Sequence, residues 1–364
     1  MPLTCGLVGL PNAGKSTLFR AITAASAEIA PYPFTTIAPN VGVVRIPDPR
    51  LEAIAGITHP RRTVPAALEL VDIAGLVRNA HKGEGLGNQF LARIREVDAL
   101  LHVVRCFAGD VAHVEGGVDP LRDIGIVETE LLLADLAAVQ RARAQVAPRA
   151  RAGDRAARRE EAGLAQLEDH LAGGRPARSW VPSAGSEAAA EDARRRLLTA
   201  RPVLYVANLD EHDPAGGPCL DAVAGYASTS GAPAIGLCAK LEMELAELPE
   251  QEAAPFLAAL GIAERGLTRL VRACEGLLGL RTFFTIVSDE VRAWPVPAGT
   301  RAPAAAGRIH TDMERGFIRV EVIASRDLVA CGSVAAARER GLVRLEGKDY
   351  EIQDGDVVTF RFAT

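Results

Sequence analysis

The chain has 364 residues, of which 48% are hydrophobic and 24% are charged. This composition is typical of folded globular proteins, and the length predicts two or three domains. The formal net charge of −5 excludes a uniformly basic coat for nucleic acid, although it is compatible with a local basic patch. The basic residues are almost all arginines, and the chain has only four lysines: Lys15, Lys82, Lys240 and Lys348.

The six cysteines are scattered, and no two of them form a CxxC pair. This spacing favours neither a zinc site nor a thioredoxin-type motif, and we expect reduced thiols in a cytoplasmic protein. The N-terminus lacks the basic start and cleavage site of a signal peptide. No apolar run reaches the roughly 18 residues of a membrane helix, so we expect a soluble protein with no membrane partner.

Short apolar runs separated by helical stretches dominate the first half of the chain. We predict buried strands at 4–8, 51–57, 68–75, 99–107 and 202–209. Continuous runs rich in Val and Leu suit strands that are covered on both faces, as in a parallel sheet. Helical stretches at 15–23 and 87–97 alternate with them. This alternation predicts a doubly wound α/β domain.

A helical segment interrupts this pattern at about 125–200. Residues 127–146 and 155–173 are predicted as amphipathic helices, with the tip of a hairpin at 148–154. Residues 141–201 contain 13 Arg against 8 Asp or Glu, a net charge of +5, so the rest of the chain is near −10. Two interpretations stay open: a solvated helix face, or a basic arm that contacts RNA phosphates.

The pattern changes again after residue 281. Short alternating segments occur at 307–312, 316–323, 343–352 and 356–362, with a helix candidate at 333–341. Gly and Asp turns separate these segments. They predict a small β-rich domain over 281–364 with one or two helices.

One motif carries a specific chemistry. Residues 9–16, GLPNAGKS, fit the phosphate-loop pattern GxxxxGK[ST] at every position, after a predicted strand and before a predicted helix. The glycines let successive backbone N–H groups face phosphates, and the helix N-terminus adds positive potential. Lys15 can reach the β- and γ-phosphates, and the Ser16 hydroxyl can ligate Mg²⁺. The sequence therefore predicts a nucleotide-binding site.

Further candidates surround this loop. Asp72 ends a predicted strand and can hold Mg²⁺ directly or through water, although alone it would be an ordinary turn residue. Thr35 and Thr36 lie in a proline-bounded loop that can present a hydroxyl to the metal, as switch loops do. Leu76 follows Gly75, where small GTPases carry a water-orienting Gln. Leu cannot bind water, so His113 is a candidate for that role, with a solvated surface histidine as the alternative.

The base-contacting loop departs from the guanine motif Asn-Lys-x-Asp. Here the strand at 202–209 is followed by the sequence Asn208-Leu209-Asp210-Glu211, so that Leu replaces Lys and Glu replaces the final Asp. Glu is one methylene longer and fits the guanine edge poorly, which predicts weakened selectivity for guanine. Cys238-Ala239-Lys240 stands where related GTPases have Ser-Ala-Lys, and Cys keeps the small size but weakens the hydrogen bond.

The chain resembles the YchF/Obg-like ATPase family of P-loop proteins almost end to end. The segments that carry the resemblance are GLPNAGKSTLF, PYPFTTIAPN, VDIAGLV, HKGEGLGNQFL, NLDE and GRIHTDMERGFIRVEV. The resemblance implies a doubly wound P-loop NTPase domain over 1–280, interrupted by an antiparallel coiled-coil arm at about 125–200. It also implies that 281–364 form a TGS domain, which is a β-grasp module.

The same resemblance implies that ATP is preferred over GTP, that Mg²⁺ is a cofactor and that the partner is the ribosome. We expect Lys15, Thr36, Asp72 and His113 to be catalytic and Ser16, Thr36 and Asp72 to hold the metal. The expected nucleotide contacts are Asn12, Ala13, Gly14, Lys15, Ser16, Thr17, Asn208, Leu209, Glu211, Cys238 and Ala239. Asn12 also resembles a feature of potassium-stimulated relatives, which suggests K⁺.

The function that we predict is a slow, ribosome-associated ATPase that acts as a molecular switch, and we expect a monomer that contacts ribosomal RNA through the arm and the TGS domain. Two alternatives remain. The protein could be a GTPase of the same fold, which NLDE argues against. It could also be a binding scaffold that nucleotide only stabilises, which the missing Gln permits.

Overall fold

The computed structural model describes residues 3–26, 40–73, 86–109, 113, 116–182, 187–248 and 250–363. The chain divides into two compact units. The central unit comprises Thr4–Gly42 and Glu69–Cys274, and the terminal unit comprises Val43–Leu68 and Glu275–Thr364, together with the first three residues. The predicted boundary at 280/281 stays a prediction. The sequence pattern did not indicate that residues from the first 70 would group with the last 90.

Twelve strands occur in the described part of the chain. They are β1 (Leu3–Val8), β2 (Val41–Ile46), β3 (Arg62–Val64), β4 (Ala66–Asp72), β5 (Ala99–Cys106), β6 (Val203–Leu209), β7 (Ala234–Leu237), β8 (Leu280–Val287), β9 (Glu290–Pro297), β10 (Phe317–Ala324), β11 (Arg344–Glu346) and β12 (Asp356–Phe362).

The described residues also form fourteen α-helices. They are α1 (Lys15–Ser26), α2 (Pro49–Thr58), α3 (Leu86–Glu96), α4 (Pro120–Arg151), α5 (Arg155–Ala172), α6 (Glu187–Arg195), α7 (Gly217–Thr229), α8 (Ala239–Glu247), α9 (Glu250–Ala259), α10 (Gly266–Leu277), α11 (Ala302–Ile309), α12 (Thr311–Arg315), α13 (Ser325–Cys331) and α14 (Val334–Glu339).

The first sheet has the strand order β2-β4-β1-β5-β6-β7. Its pairs β1–β5, β5–β6 and β6–β7 are parallel, with Leu7 opposite Leu101 and Leu101 opposite Leu204. Every residue of β5 and β6 is buried, as the apolar runs predicted. The α/β fold class is confirmed. Because the strands are parallel, their carboxyl ends meet at one edge, where ligands bind in open α/β sheets.

Two long antiparallel helices form the insert, as predicted. Asp119 caps α4 by accepting from the Arg122 N–H, and Asp154 caps α5 by accepting from the N–H groups of Ala156 and Ala157. Pro148, predicted in the hairpin tip, lies instead in the last turn of α4, so the tip is shorter than expected. Val146, Leu164, Leu167 and other apolar residues pack between the helices.

Glu128 anchors the base of this insert to the first sheet. Its carboxylate accepts hydrogen bonds from the hydroxyls of Tyr205 on β6 and Tyr226 on α7, and Arg178 lies 3.1 Å from it. Burial alone would raise the pKa of Glu128, but these partners lower it below its ordinary value. A partly buried carboxylate with this many partners fixes the orientation of α4.

The second sheet has the order β11-β10-β12-β8-β9-β3. The pairs β8–β9, β10–β11 and β10–β12 are antiparallel, whereas β12–β8 and β3–β9 are parallel. Its core is aromatic: the ring of Phe283 stacks on Trp294 and meets Phe360 edge-on. The sequence predicted β10 and β12 but not the hairpin β8–β9. It also wrongly predicted strand at 307–312, which belongs to α11 and α12.

Residues 51–57 were predicted as a strand, and this was wrong. They lie in α2, which Asp48 caps by accepting from the Arg50 N–H and which has Pro49 at its first position. Leu51 and Ile54 are buried one helical turn apart. The run is short and apolar apart from Glu52, so periodicity could not separate a strand from a buried helix. The Asp-Pro start was the better signal.

The expectation that all cysteines are reduced thiols was also wrong in one place. Cys106 at the end of β5 and Cys219 in α7 form a disulfide across 113 positions of sequence. Spacing along the chain could not reveal this pair, because it arises from the packing of α7 against the sheet. In the part of the chain that the structure describes, no helix is long and apolar enough to cross a membrane.

Candidate nucleotide-binding site

The loop between β1 and α1 has the backbone conformation that a phosphate cradle requires. Gly14 has a φ of +91° and Asn12 a φ of +63°, in the left-handed region that side chains disfavour. A Cβ on Gly14 would lie 2.0 Å from Asn208 Nδ2, so only glycine fits there. Since α1 begins at Lys15, its first N–H groups lack partners within the helix and can bind an anion.

Lys15 and Asp72 lie close enough for their charges to interact. Lys15 is 6% exposed, and its ammonium donates to the carbonyl oxygens of Gly9 (3.0 Å) and Leu10 (2.7 Å). Burial lowers the pKa of Lys15 to about 8, and the charge of Asp72 opposes this shift. Burial raises the pKa of Asp72 above its ordinary value, although the charges of Lys15 and Arg93 oppose this shift. The structure therefore brings together the predicted phosphate-binding lysine and the predicted metal-binding carboxylate.

Asn208 links two loops. Its buried side chain donates through Nδ2 to the carbonyl of Ala13 (3.0 Å) and accepts through Oδ1 from the N–H of Ala239 (2.9 Å). The phosphate loop and the start of α8 are therefore held at the end of β6. Both polar atoms of the amide bind the protein in this conformation, so Asn208 positions the loops, and its predicted contact with the base stays a prediction. Leu209 beside it is 3% exposed.

Cys238 and Glu211 lie in the two loops that are predicted to contact the base. Cys238 is the N-cap of α8, and its sulfur accepts from the N–H of Leu241 at 3.4 Å; burial raises the pKa of its thiol. Glu211 lies beyond β6, and its carboxylate forms an ion pair with the Lys240 ammonium at 2.6 Å. Lys240 belongs to the Cys-Ala-Lys motif, and nothing in the sequence indicated this partner for it.

Arg105 is a site residue that sequence reasoning missed. Its guanidinium lies 4.5 Å above the ring of Phe107 and donates to the carbonyl of Asn12 in the phosphate loop at 3.4 Å. The whole residue is 3% exposed. The available signal was a charged residue near the end of a strand that is apolar apart from His102, because such a residue is buried only with partners.

The structure places His113 beside α4. Its Nε2 lies 2.6 Å from Asp123 Oδ2, Arg122 Nη2 lies 3.4 Å from its Nδ1, and its side chain is 4% exposed. These contacts give His113 a structural role at the start of the insert, in place of the solvated surface position that was the alternative. Its role in placing water stays a prediction.

Thr36 and Leu76 lie outside the described residues, so their roles stay predictions. Ser16 and Thr17 lie in the first turn of α1, and Ser16 is exposed. No group of three or more His, Cys, Asp or Glu able to hold a metal occurs in the described ranges. A phosphate-loop magnesium takes a hydroxyl and phosphate oxygens instead, so the donor set of Ser16 and Asp72 fits Mg²⁺ bound together with a nucleotide.

Comparisons with known proteins agree with this geometry. Residues 4–141 match a family described as a 50S ribosome-binding GTPase. Residues 280–363 match the YchF GTPase C-terminal family, which is described as a protein of unknown function. The first match extends into α4, and residues 142–279 lie between the two matched ranges.

Full-length relatives extend the match to the whole chain. The chain is 49% identical to the ribosome-binding ATPase YchF of Bacillus subtilis, covering 100% of both chains. It is 47% identical to the protein of the same name from Escherichia coli O157:H7, covering 100% of this chain and 99% of the relative. The structure of the Schizosaccharomyces pombe YchF GTPase superposes with a TM-score of 0.87 at 34% identity, covering 99% and 97%. The chain therefore belongs to the YchF family and has its P-loop GTPase fold.

Proposed function

We propose that this chain is a cytoplasmic molecular switch that binds ATP in preference to GTP, hydrolyses it slowly and associates with the ribosome. The observation that carries this proposal is the phosphate loop, with its left-handed Asn12 and Gly14, at the start of α1 beside Asp72. The names of the relatives, ribosome-binding ATPase, support the nucleotide and the partner. A monomer is the state that we expect in solution.

The phosphates of the nucleotide would lie against the N-terminus of α1. Backbone N–H groups of residues 13–17 would surround them, and Lys15 would exchange its carbonyl partners Gly9 and Leu10 for phosphate oxygens. A buried ammonium interacts more strongly with phosphate than an exposed one, because water screens it less. Binding and charge stabilisation by Lys15 therefore act on the same atoms.

Ser16 and Asp72 would hold Mg²⁺, and Thr36 is the further ligand that the sequence predicts. When bound, the ion neutralises charge on the β- and γ-phosphates. Burial raises the pKa of Asp72 although the charges of Lys15 and Arg93 oppose this shift, and a bound cation would favour the charged carboxylate further. The predicted potassium dependence, from Asn12, is tested by turnover in KCl and NaCl, and equal rates would exclude it.

The ribosome contact that we propose lies at the tip of the helical arm. Residues 141–159 contain seven Arg and one acidic residue, Asp154, and Asp154 is already paired with Arg149. Arg141, Arg151 and Arg155 are exposed, and within the described residues none has an acidic partner. Such a cluster suits RNA phosphates.

The deciding experiment for the nucleotide is calorimetric titration of nucleotide-free protein with ATP and with GTP in Mg²⁺ and KCl. Tighter ATP binding supports the proposal, whereas tighter GTP binding would make the protein a GTPase. Lys15→Ala should abolish binding of both nucleotides, with Lys348→Ala as the matched control. Full affinity in the Lys15 variant would contradict the assignment. Hydrolysis at background level even with ribosomes would favour the scaffold.

The arm is tested by pelleting with ribosomes across a salt series. Replacing Arg141, Arg151 and Arg155 by Ala should weaken binding and reduce the salt dependence, by about one unit of slope for each phosphate that the variant no longer neutralises. Replacing Arg194, Arg195 and Arg196 on α6, which have acidic partners Glu191 and Asp192, is the matched control. Pelleting that does not depend on salt would contradict an electrostatic contact.

A further inference from the structure

A bidentate ion pair lies at the base-contacting edge of the site. Lys240 Nζ is 2.6 Å from Glu211 Oε2 and 2.7 Å from Glu211 Oε1. Both carboxylate oxygens therefore face one ammonium. His212 Nε2 is farther away, 3.7 Å from Glu211 Oε1. The pair joins the loop after β6 to the first turn of α8.

Neighbouring contacts hold the two side chains in place. The hydrogen bond from the Ala239 N–H to Asn208 Oδ1 fixes the start of α8 beside the end of β6. Lys240 is the next residue, and the Cys238 cap fixes the direction of the helix. The pair therefore results from buried contacts on both sides, although the pair itself is exposed.

The location of Lys240 is unfavourable for the helix itself. It is the second residue of α8, where the helix dipole disfavours a cation. The chain uses arginine for almost all its positive charges, yet it has one of its four lysines here. Glu211 supplies the attraction that offsets the dipole, and its hydrogen bond raises the pKa of Lys240.

Guanine and adenine present different hydrogen-bonding groups to a carboxylate at the position of Glu211. Guanine presents N–H donors at N1 and N2, which a free carboxylate can accept. Adenine presents a lone pair at N1, which a free carboxylate would repel. We infer that Lys240 sets base selectivity as a positioning residue, by binding both oxygens of Glu211 and so competing with the guanine N–H donors for this carboxylate. The inference rests on the proposed nucleotide-binding function and names the group that controls its specificity.

The test measures the ratio of the dissociation constants for GTP and ATP by calorimetric titration. Lys240→Met keeps the length of the aliphatic side chain but frees Glu211, so the ratio should fall about tenfold, as expected for one gained hydrogen bond to a charged group. Lys240→Arg keeps the pair and should stay within about twofold of the wild type. Lys348→Met, at another exposed lysine, should change nothing.

A double variant separates this mechanism from a general loss of structure. In a Glu211→Gln background, adding Lys240→Met should leave the ratio unchanged, because no carboxylate remains to be freed. A ratio unaffected by Lys240→Met, or a fall that persists in the Glu211→Gln background, would overturn the inference. If the wild type binds GTP more tightly, the proposed ATP preference fails, while the change in ratio between the variants still tests Lys240.

Discussion

At the scale of single residues, Gly14 is the position where backbone geometry most tightly constrains the site. Alanine there would combine a φ of +91° with a Cβ 2.0 Å from Asn208 Nδ2. We expect Gly14→Ala to weaken ATP binding at least about 100-fold, because relieving the overlap would move either the loop or the amide that holds it. Titration calorimetry measures the loss.

Gly56 provides the control for this variant. It lies in α2 with nothing within 4 Å of an added Cβ, so Gly56→Ala should leave ATP binding unchanged and stabilise the helix by about 0.5–1 kcal/mol. Equal effects of the two substitutions on ATP affinity would show that the short distance between residue 14 and Asn208 does not determine the conformation of the phosphate loop.

The pKa of Lys15 predicts a pH dependence of binding. Its folded-state pKa of about 8 lies below the ordinary value of 10.5, so the native protein loses this proton first as the pH rises. Phosphates bind the charged form, and ATP binding above pH 8 must therefore take up a proton. We expect affinity to fall up to tenfold per pH unit between about pH 8 and 10.

The same shift has an opposite effect on folding. The cost of burying the charged ammonium is fully present below pH 8 and is relieved between pH 8 and 10.5, so the contribution of Lys15 to stability rises with pH in that window. Titrations at about pH 8.5 in buffers of different ionisation enthalpy measure proton uptake. Lys15→Arg, which keeps its charge at that pH, should show none, and uptake unchanged in this variant would refute the assignment.

At the scale of elements, the sequence predicted best where local signals agree. Residues 9–16 follow a predicted strand, contain two glycines and lead into a predicted helix. The structure has β1 ending at Val8 and α1 beginning at Lys15. The strand prediction at 51–57 failed because a short, mostly apolar run does not show whether its hydrophobic residues repeat with the period of a strand or of a helix. The hairpin of β8 and β9 was missed because Trp294 and Pro295 interrupt its alternation. Arg105 and the pairing of Glu211 with Lys240 depend on contacts between distant segments, which no local pattern encodes.

The disulfide between β5 and α7 predicts a redox-dependent stability. The bond closes a loop across 113 positions, which restricts the unfolded chain and is expected to contribute about 2–4 kcal/mol. Cys219→Ser should lower the free energy of unfolding by that amount in oxidised protein and by much less in dithiothreitol. Guanidinium titrations with and without reductant measure it, and Cys331→Ser, at a thiol outside the bond, is the control. Equal stability of the oxidised and reduced wild type would contradict the bond.

At the scale of the whole molecule, the terminal unit is built from two distant pieces of sequence. Arg50 on α2 binds Asp48 at 2.8 Å and Asp354 at 2.6 Å, and its guanidinium lies 5.5 Å above the ring of Phe284. The strand β3 extends the second sheet by pairing with β9. Because these contacts join residues 43–68 to 275–363, the two pieces should unfold together.

Arg50→Ala tests this cooperativity. Since Arg50 is about one-third exposed, we expect a modest loss of about 1–2 kcal/mol, spread over the unit and not confined to α2. Hydrogen exchange should show protection falling in both 43–68 and 275–363, with 86–109 and 203–248 unchanged. Arg61→Ala, which removes an exposed pair with Asp289, should have no such effect. Loss of protection in 43–68 alone would mean that the C-terminal segment folds independently, as a boundary at 280 implies. Loss in both segments would mean that residues 43–68 belong to the C-terminal domain.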